Sequence, residues 1–387
     1  MEVNRRKIDR VLEEASKNKV PAISAAIISS KEIIYKNSFG YSDLESKKPI
    51  TEDSVFRIAS MTKAITSTCI MQLIEKGELS LQSKLRNFFP EVSERKILKG
   101  FDSENNPIYE ETLNDINIKH LLTHTSGFAY EIWNENIKKL VEKGELSSAF
   151  LGNDEFLKAP LVFNPGTDWT YGIGIDWLGV LIEKISGVSL QEFMTENIFK
   201  PLGMKDTAYD INDNLRERLV KIYGRSDQEY FEIPFTDPEK SSFYSGGGQL
   251  VSTVDDYSLF LRIFLNGGSY KGKQIISKES VKIMSKNHTG ETLMTELKTS
   301  EPEFSNDVNF FPSITKSWGL GFMINNEEIP DGRAKNSLAW AGLFNSYFWI
   351  DKKNDMAAII MMQMLPFFEE KAVQTLTDFE AAIYKKN

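Results

Sequence analysis

The sequence predicts an α+β fold in which one antiparallel sheet is built from the two ends of the chain, with a mostly helical segment inserted between them. Three observations predict it. Residues 22–30 and 33–40 are apolar, β-branched runs parted only by Lys31-Glu32, the pattern of a hairpin. Residues 318–324, 338–350 and 356–363 are long apolar or aromatic runs, with turn signals at Pro330-Asp331-Gly332 and at residues 352–355. Between these sets, from Gly77 to about Pro238, polar turns alternate with helical patterns and convincing strands are few. A sheet assembled from both termini must be covered, and the inserted helices are expected to lie over it. The expected organisation is a sheet-bearing domain of residues 1–85 and 239–387, an inserted helical domain of residues 86–238, and an active site in the cleft between them.

In chain order, residues 1–19 are rich in Arg, Lys and Glu, with apolar residues at Ile8, Val11, Leu12 and Ala15. That is an amphipathic helix and not a signal peptide. After the hairpin, residues 60–74 form a helix that is apolar or hydroxylated on every face, and so is expected to be buried. Residues 100–117 are polar and turn-rich, residues 138–143 a charged helix, and residues 175–185 repeat apolar positions at helical spacing. A final amphipathic helix covers about residues 369–385.

With 387 residues the chain can bury a large core, and 26% charged and 41% hydrophobic residues are ordinary for a soluble globular protein. A net charge of −9, with no Lys/Arg cluster framed by aromatics, argues against a nucleic-acid partner. No apolar run approaches the ~18 residues that a membrane span needs. Cys69 is the only cysteine and falls inside the uncharged helix, which excludes an internal disulfide and predicts a packed thiol. A reducing cytoplasm fits this, and a periplasmic location would require a leader that has been removed.

The chemistry centres on Phe56-Arg57-Ile58-Ala59-Ser60-Met61-Thr62-Lys63. Between Arg57 and Glu75 the only charged residue is Lys63, and it is three residues from Ser60, so both side chains lie on one helix face. A serine hydroxyl becomes a useful nucleophile only when a group takes its proton, and a desolvated lysine can do so. Spacing alone carries little: Ser16/Lys19, Ser93/Lys96 and Ser313/Lys316 share it, in charged or loop surroundings where solvated side chains are expected. For Ser60 and Lys63 the bland alternative is an N-cap serine with a snorkelling lysine, which the uncharged surroundings disfavour.

Two other stretches suggest chemistry and are read structurally. His120 and His124 stand at i and i+4, but the intervening glutamate of the metalloprotease pattern is missing and only His288 remains as a third histidine, so packed or capped imidazoles are expected and no metal. Gly246-Gly247-Gly248 lacks a following Gly-Lys-Ser/Thr and is expected to allow close backbone approach beside a cleft. No Gly-x-Ser-x-Gly elbow is present.

Taken together, Ser60-Met61-Thr62-Lys63, His120-Leu121-Leu122-Thr123-His124-Thr125-Ser126-Gly127, Tyr171 after Pro165-Gly166, Gly246-Gly247-Gly248 and Trp340-Ala341-Gly342 resemble, in order and spacing, the serine β-lactamase and penicillin-binding-protein superfamily. The details are most similar to the family VIII carboxylesterases. Ile173 stands where the β-lactamases of the nearest class carry asparagine, and Trp340 stands where they carry the cation that grips a substrate carboxylate. A neutral ester loses nothing by that replacement.

The resemblance implies an α/β/α sandwich with helices on both sheet faces and a serine esterase acting on a small-molecule ester, with no cofactor and no metal. It implies Ser60 as nucleophile, Lys63 and Tyr171 as proton-transfer pair, and the backbone N–H groups of Ser60 and Leu343 as oxyanion hole. Tyr130, Trp340, Gly342, Phe344 and Asp176 are implied at the substrate cleft, fitting short-chain or aromatic acyl esters. Which of Lys63 and Tyr171 is the resting base stays open, because they titrate as a pair. A charged Lys63 about 4 Å from the phenol would stabilise the phenolate by roughly 4 kcal/mol, about three pKa units before desolvation is subtracted. The same site also allows a β-lactamase, a peptidase of D-amino acids or an amide hydrolase, and the fold alone allows a catalytically silent binding domain.

Overall fold

The computed structural model of the chain describes residues 3–226, 229–237 and 240–385. The N-terminal amphipathic pattern is helix α1 (Arg5–Asn18), which buries Ile8, Leu12 and Ala15. The hairpin follows as β1 (Ala22–Ile28) and β2 (Ile33–Asp43), with a short edge strand β3 (Lys48–Pro49). Helix α2 (Thr62–Glu75) carries Lys63 and is buried at every position from Thr62 to Leu73. From the inserted segment comes α3 (Gly174–Ser186), and after it α4 (Val254–Leu265). The C-terminal strands are β4 (Lys316–Trp318), β5 (Met323–Asn325), β6 (Leu338–Gly342), β7 (Ser346–Asp351) and β8 (Met356–Met361), and the chain closes with α5 (Glu370–Tyr384).

These eight strands form one antiparallel sheet in the order β4-β5-β6-β7-β8-β1-β2-β3. The two chain ends meet at its middle, where β1 pairs β8 with Ser24 opposite Met361 and Ile28 opposite Ala357. Helix α1 packs on α5 and on β1 and β2, while α4 packs on β1, β7 and β8. That cover explains the sequence pattern: β1 and β8 are buried at every residue, so they read as unbroken apolar runs. A contiguous apolar core joins sheet residues such as Ile27, Trp349 and Ile359 to Phe128, Trp177 and Leu181 of the inserted segment.

Several expectations need correction. The run at 318–324 is not one strand; the chain turns at residues 319–322, where Gly321 (φ 91°) sits so close to α2 that a Cβ would lie 2.3 Å from Ser67 Oγ. The run at 338–350 is a hairpin whose turn, Leu343-Phe344-Asn345, is hidden in the sequence by two apolar residues, with Asn345 taking the positive φ. The polar stretch at 100–117 overlaps a separate hairpin, Ile97–Phe101 with Pro107–Glu110, closed by the Asp102 carboxylate accepting the N–H groups of Glu104 and Asn106. Another pairing, Tyr223–Ser226 with Glu229–Glu232, also lies in the segment expected to be helical. The expected domain boundary at residues 238 and 239 and the first two residues of the expected N-terminal helix lie outside the described residues. Among the described residues, no helix is long and apolar enough to cross a membrane.

Candidate active site

Ser60 reaches its place by a local device. The Phe56–Arg57 strand pairs with Val251–Ser252, and the backbone then turns through Ala59 in a left-handed conformation (φ 41°) into a short 3-10 turn, Ala59–Met61, that runs into α2. A left-handed alanine is strained by roughly 1–2 kcal/mol, held here by the packing around it. No side chain caps the turn or the helix, so the Ser60 hydroxyl is not used as an N-cap, and the residue is partly exposed.

Lys63 is completely buried. Its Nζ donates to Ser60 Oγ at 3.3 Å, to the Tyr130 hydroxyl at 3.0 Å and to the Gly247 carbonyl at 2.7 Å. Tyr130 in turn donates to Asp176 Oδ2 at 2.5 Å, and Asp176 Oδ1 accepts from the Gly247 N–H at 3.0 Å and from the Ser245 hydroxyl. The nearest counter-charge therefore reaches Lys63 through a phenol and not by direct contact. Burial pulls the Lys63 amine down to about 8, with the Asp176 charge resisting. Relative to an ordinary lysine this makes the neutral amine roughly 300-fold more abundant at neutral pH.

Tyr171 stands beside Tyr130, their ring centres 5.5 Å apart, with Lys63 Nζ 4.8 Å from the Tyr171 ring centre. Its hydroxyl accepts the Trp340 Nε1–H at 3.0 Å. Burial pushes the phenol well up, against hydrogen bonding with Ser60 and Trp340 that favours the phenolate. The stabilisation of a phenolate expected from a charged Lys63 is outweighed by desolvation of the phenol. Burial thus moves the two groups in opposite senses, the amine down and the phenol up.

The remaining expected residues divide. Tyr130 and Asp176, implied at the substrate cleft, are buried and wired to Lys63. Trp340 is 4% exposed and also packs on Trp318, with ring centres 4.6 Å apart. Gly342 has a steric reason: a Cβ there would lie 2.4 Å from the Ile58 carbonyl, so only glycine lets the end of β6 close on the Ser60 turn. That contact brings the Leu343 turn beside Ala59, with which it shares a small apolar cluster. Phe344 is buried in the same cluster with Ile222 and Leu365, edge-on to Phe235.

The glycine run behaves as expected of close approach. A Cβ at Gly246 would strike the Ile175 carbonyl at 2.4 Å, and one at Gly247 would strike Asp176 Oδ2 at 2.4 Å and the Tyr130 hydroxyl at 2.5 Å. What sequence reading missed is that this run also supplies a ligand to the amine, the Gly247 carbonyl, and that Ser245 holds Asp176. It also missed the indole N–H of Trp340 as a partner of Tyr171. The two histidines do not share a helix face: the helix Ile118–Leu122 ends before His124, and His120 joins a capping box with Asn117. Among the described residues no group of three or more His, Cys, Asp or Glu side chains could hold a metal ion.

The chain is 26% identical over 393 residues to the ML-236A carboxylate methylbutanoyltransferase of Penicillium citrinum, covering 95% of this chain and 92% of that protein. It is 27% identical over 388 residues to the lovastatin esterase of Penicillium rubens, covering 94% of each. Its structure is similar to a mutant simvastatin synthase from Aspergillus terreus, with a TM-score of 0.83 and 25% identity over 97% of this chain and 93% of that one. The fold is also that of the hydrolase EstCE1, with a TM-score of 0.76 at 20% identity over 98% of each chain. The Beta-lactamase family model matches residues 8–383, and the chain belongs to that family.

Proposed function

We propose that the protein is a serine carboxylesterase of the family VIII type, working through an acyl-enzyme on Ser60. The observation that carries the reading is Lys63: a fully buried amine, 3.3 Å from a partly exposed serine hydroxyl, bonded otherwise to neutral groups and lowered to about 8. Neutral Lys63 accepts the Ser60 proton as Oγ attacks the ester carbonyl. The N–H groups of Ser60 and Leu343 hold the developing oxyanion, Leu343 being delivered by the Gly342 contact. Tyr171, kept protonated by burial, hands its proton to the departing alkoxide and recovers one from Lys63. Water then enters by the reverse proton route and frees the acid.

An alcohol can take the place of that water, and the named methylbutanoyltransferases among the relatives support acyl transfer on the same intermediate. The neutral Trp340 supports an uncharged ester over an anionic lactam or a peptide terminus, and the apolar cluster of Leu343 and Phe344 supports a short acyl or aromatic group.

The test is an ester and lactam panel on the native protein beside Ser60→Ala, with the acyl-enzyme followed by intact mass. Turnover of p-nitrophenyl acetate and butyrate, faster than of the decanoate, with an acyl adduct absent from Ser60→Ala, is the expected result. A chromogenic cephalosporin outpacing every ester would replace the esterase reading with an amidase one. No labelling of Ser60 by a fluorophosphonate would leave only a silent binding domain.

A further inference from the structure

The acyl-transfer steps leave one buried ring beside the site without a task. His124 is 1% exposed and has a left-handed backbone (φ 58°), a conformation uncommon outside glycine but one that asparagine, aspartate and histidine adopt more readily than other residues. Its ring centre is 4.7 Å from that of Tyr171 and 4.9 Å from that of Trp318. Its hydrogen bonds clasp Tyr171 from both sides in the sequence. The His124 carbonyl accepts the Thr170 N–H at 3.0 Å, and its ring Nδ1 accepts the Gly172 N–H at 3.4 Å.

An acceptor role for Nδ1 requires the neutral tautomer with its hydrogen on Nε2, a nitrogen that is buried without a hydrogen-bond partner. The titratable groups facing it are Lys63 and Tyr171, and both burial and the Lys63 cation oppose its protonation.

We propose that His124 is the positioning residue for Tyr171: as a neutral acceptor it ties the Thr170-Tyr171-Gly172 segment so that the phenol stays between Ser60 and the Trp340 N–H. This rests on the role given to Tyr171 above. The residue type fits both demands at once, since it supplies an acceptor one bond beyond Cγ and tolerates the left-handed backbone. Asparagine would meet the same two demands, its amide oxygen standing where Nδ1 stands. Phenylalanine keeps the ring contact with Tyr171 but offers no acceptor, and glutamine places its amide one atom too far, where Nε2 stands.

The experiment compares His124→Asn, His124→Phe and His124→Gln in the full chain, measuring kcat and KM on p-nitrophenyl butyrate, the fluorophosphonate labelling rate of Ser60, and Tm. His124→Phe is expected to lower kcat on the order of 10–100-fold with KM little changed, the scale of a displaced catalytic group. His124→Asn is expected to recover most of that loss, and His124→Gln is not. The Asn and Gln variants decide the matter even if the Phe variant does not fold.

Equal activity in Asn and Gln, or wild-type kcat in the Phe variant, overturns the positioning role. So does a fall in Tm that fully accounts for the lost activity. Failure of the wild-type protein itself to form an acyl-enzyme on Ser60 overturns both this inference and the esterase reading. A wild-type acyl-enzyme formed at the same rate in the Phe variant overturns this inference alone.

Discussion

Lys63 in α2 and Arg333 before β6 are both buried cations, at 0% and 3% exposure, yet their surroundings differ in one respect. Arg333 meets its counter-charge directly, with Nε and Nη2 on the two Glu380 oxygens at 2.8 and 2.7 Å and the guanidinium 4.3 Å over the Trp349 ring. Lys63 meets only hydroxyls and a carbonyl, and Asp176 reaches it through Tyr130. A directly paired charge is a tie, here between the turn before β6 and α5. A charge held by neutral acceptors is penalised by burial, which lowers the amine and suits Lys63 to the role of base proposed for it.

Lys316 shows that burial alone is insufficient. It too donates only to neutral oxygens, those of Phe310, Phe311 and Asn309, and burial lowers it, but those acceptors are carbonyl oxygens with no proton to give. The partly exposed hydroxyl beside Lys63 is what makes the difference.

The contrast can be broken at either end. The largest effect is expected from Lys63→Met, which removes the proposed base and keeps the packing: kcat/KM should fall roughly 10³–10⁴-fold, read by ester turnover and by fluorophosphonate labelling. A loss under tenfold would mean that another group takes the Ser60 proton. Next comes Glu380→Gln, which leaves Arg333 buried without its partner. Chemical denaturation should show about 3–5 kcal/mol less stability, while activity per folded molecule stays at the wild-type level. If activity fell and stability did not, the pair would belong to the site and not to the scaffold.

Two smaller changes sharpen the comparison. Trp340→Phe keeps a ring but deletes the N–H that Tyr171 accepts, and kcat should drop roughly 10–100-fold with little change in Tm. Asp176→Asn removes the negative charge that favours protonated Lys63. The amine should then fall further below about 8, so that the rise of kcat/KM with pH moves to lower pH, by roughly one unit. In the wild-type protein the same rise is expected to centre near pH 8. A limb that does not move in Asp176→Asn would show that Lys63 does not set it.

Much of this was readable before any coordinates. The uncharged helix from Ser60 onward predicted a buried amine one turn from a hydroxyl, because side chains three residues apart on a helix share a face whatever surrounds them. The terminal strands predicted the sheet, because burial on both faces leaves a continuous apolar run. The errors fell where that logic fails: the Leu343-Phe344-Asn345 turn is as apolar as the strands it joins, and the hairpin at 97–110 is polar because it lies at the surface.

By itself, then, the sequence determined which serine and lysine lie together on one helix turn, and the sheet that supports them. Only the tertiary structure decided who else touches that amine. The Gly247 carbonyl lies 184 residues from Lys63, and the Trp340 N–H lies 169 residues from Tyr171. Such partners are set by how the glycine run, α3 and the end of β6 close upon one another, and periodicity along a single segment carries no record of that packing. The upward push on the phenol comes from there too, since desolvation depends on everything that surrounds it.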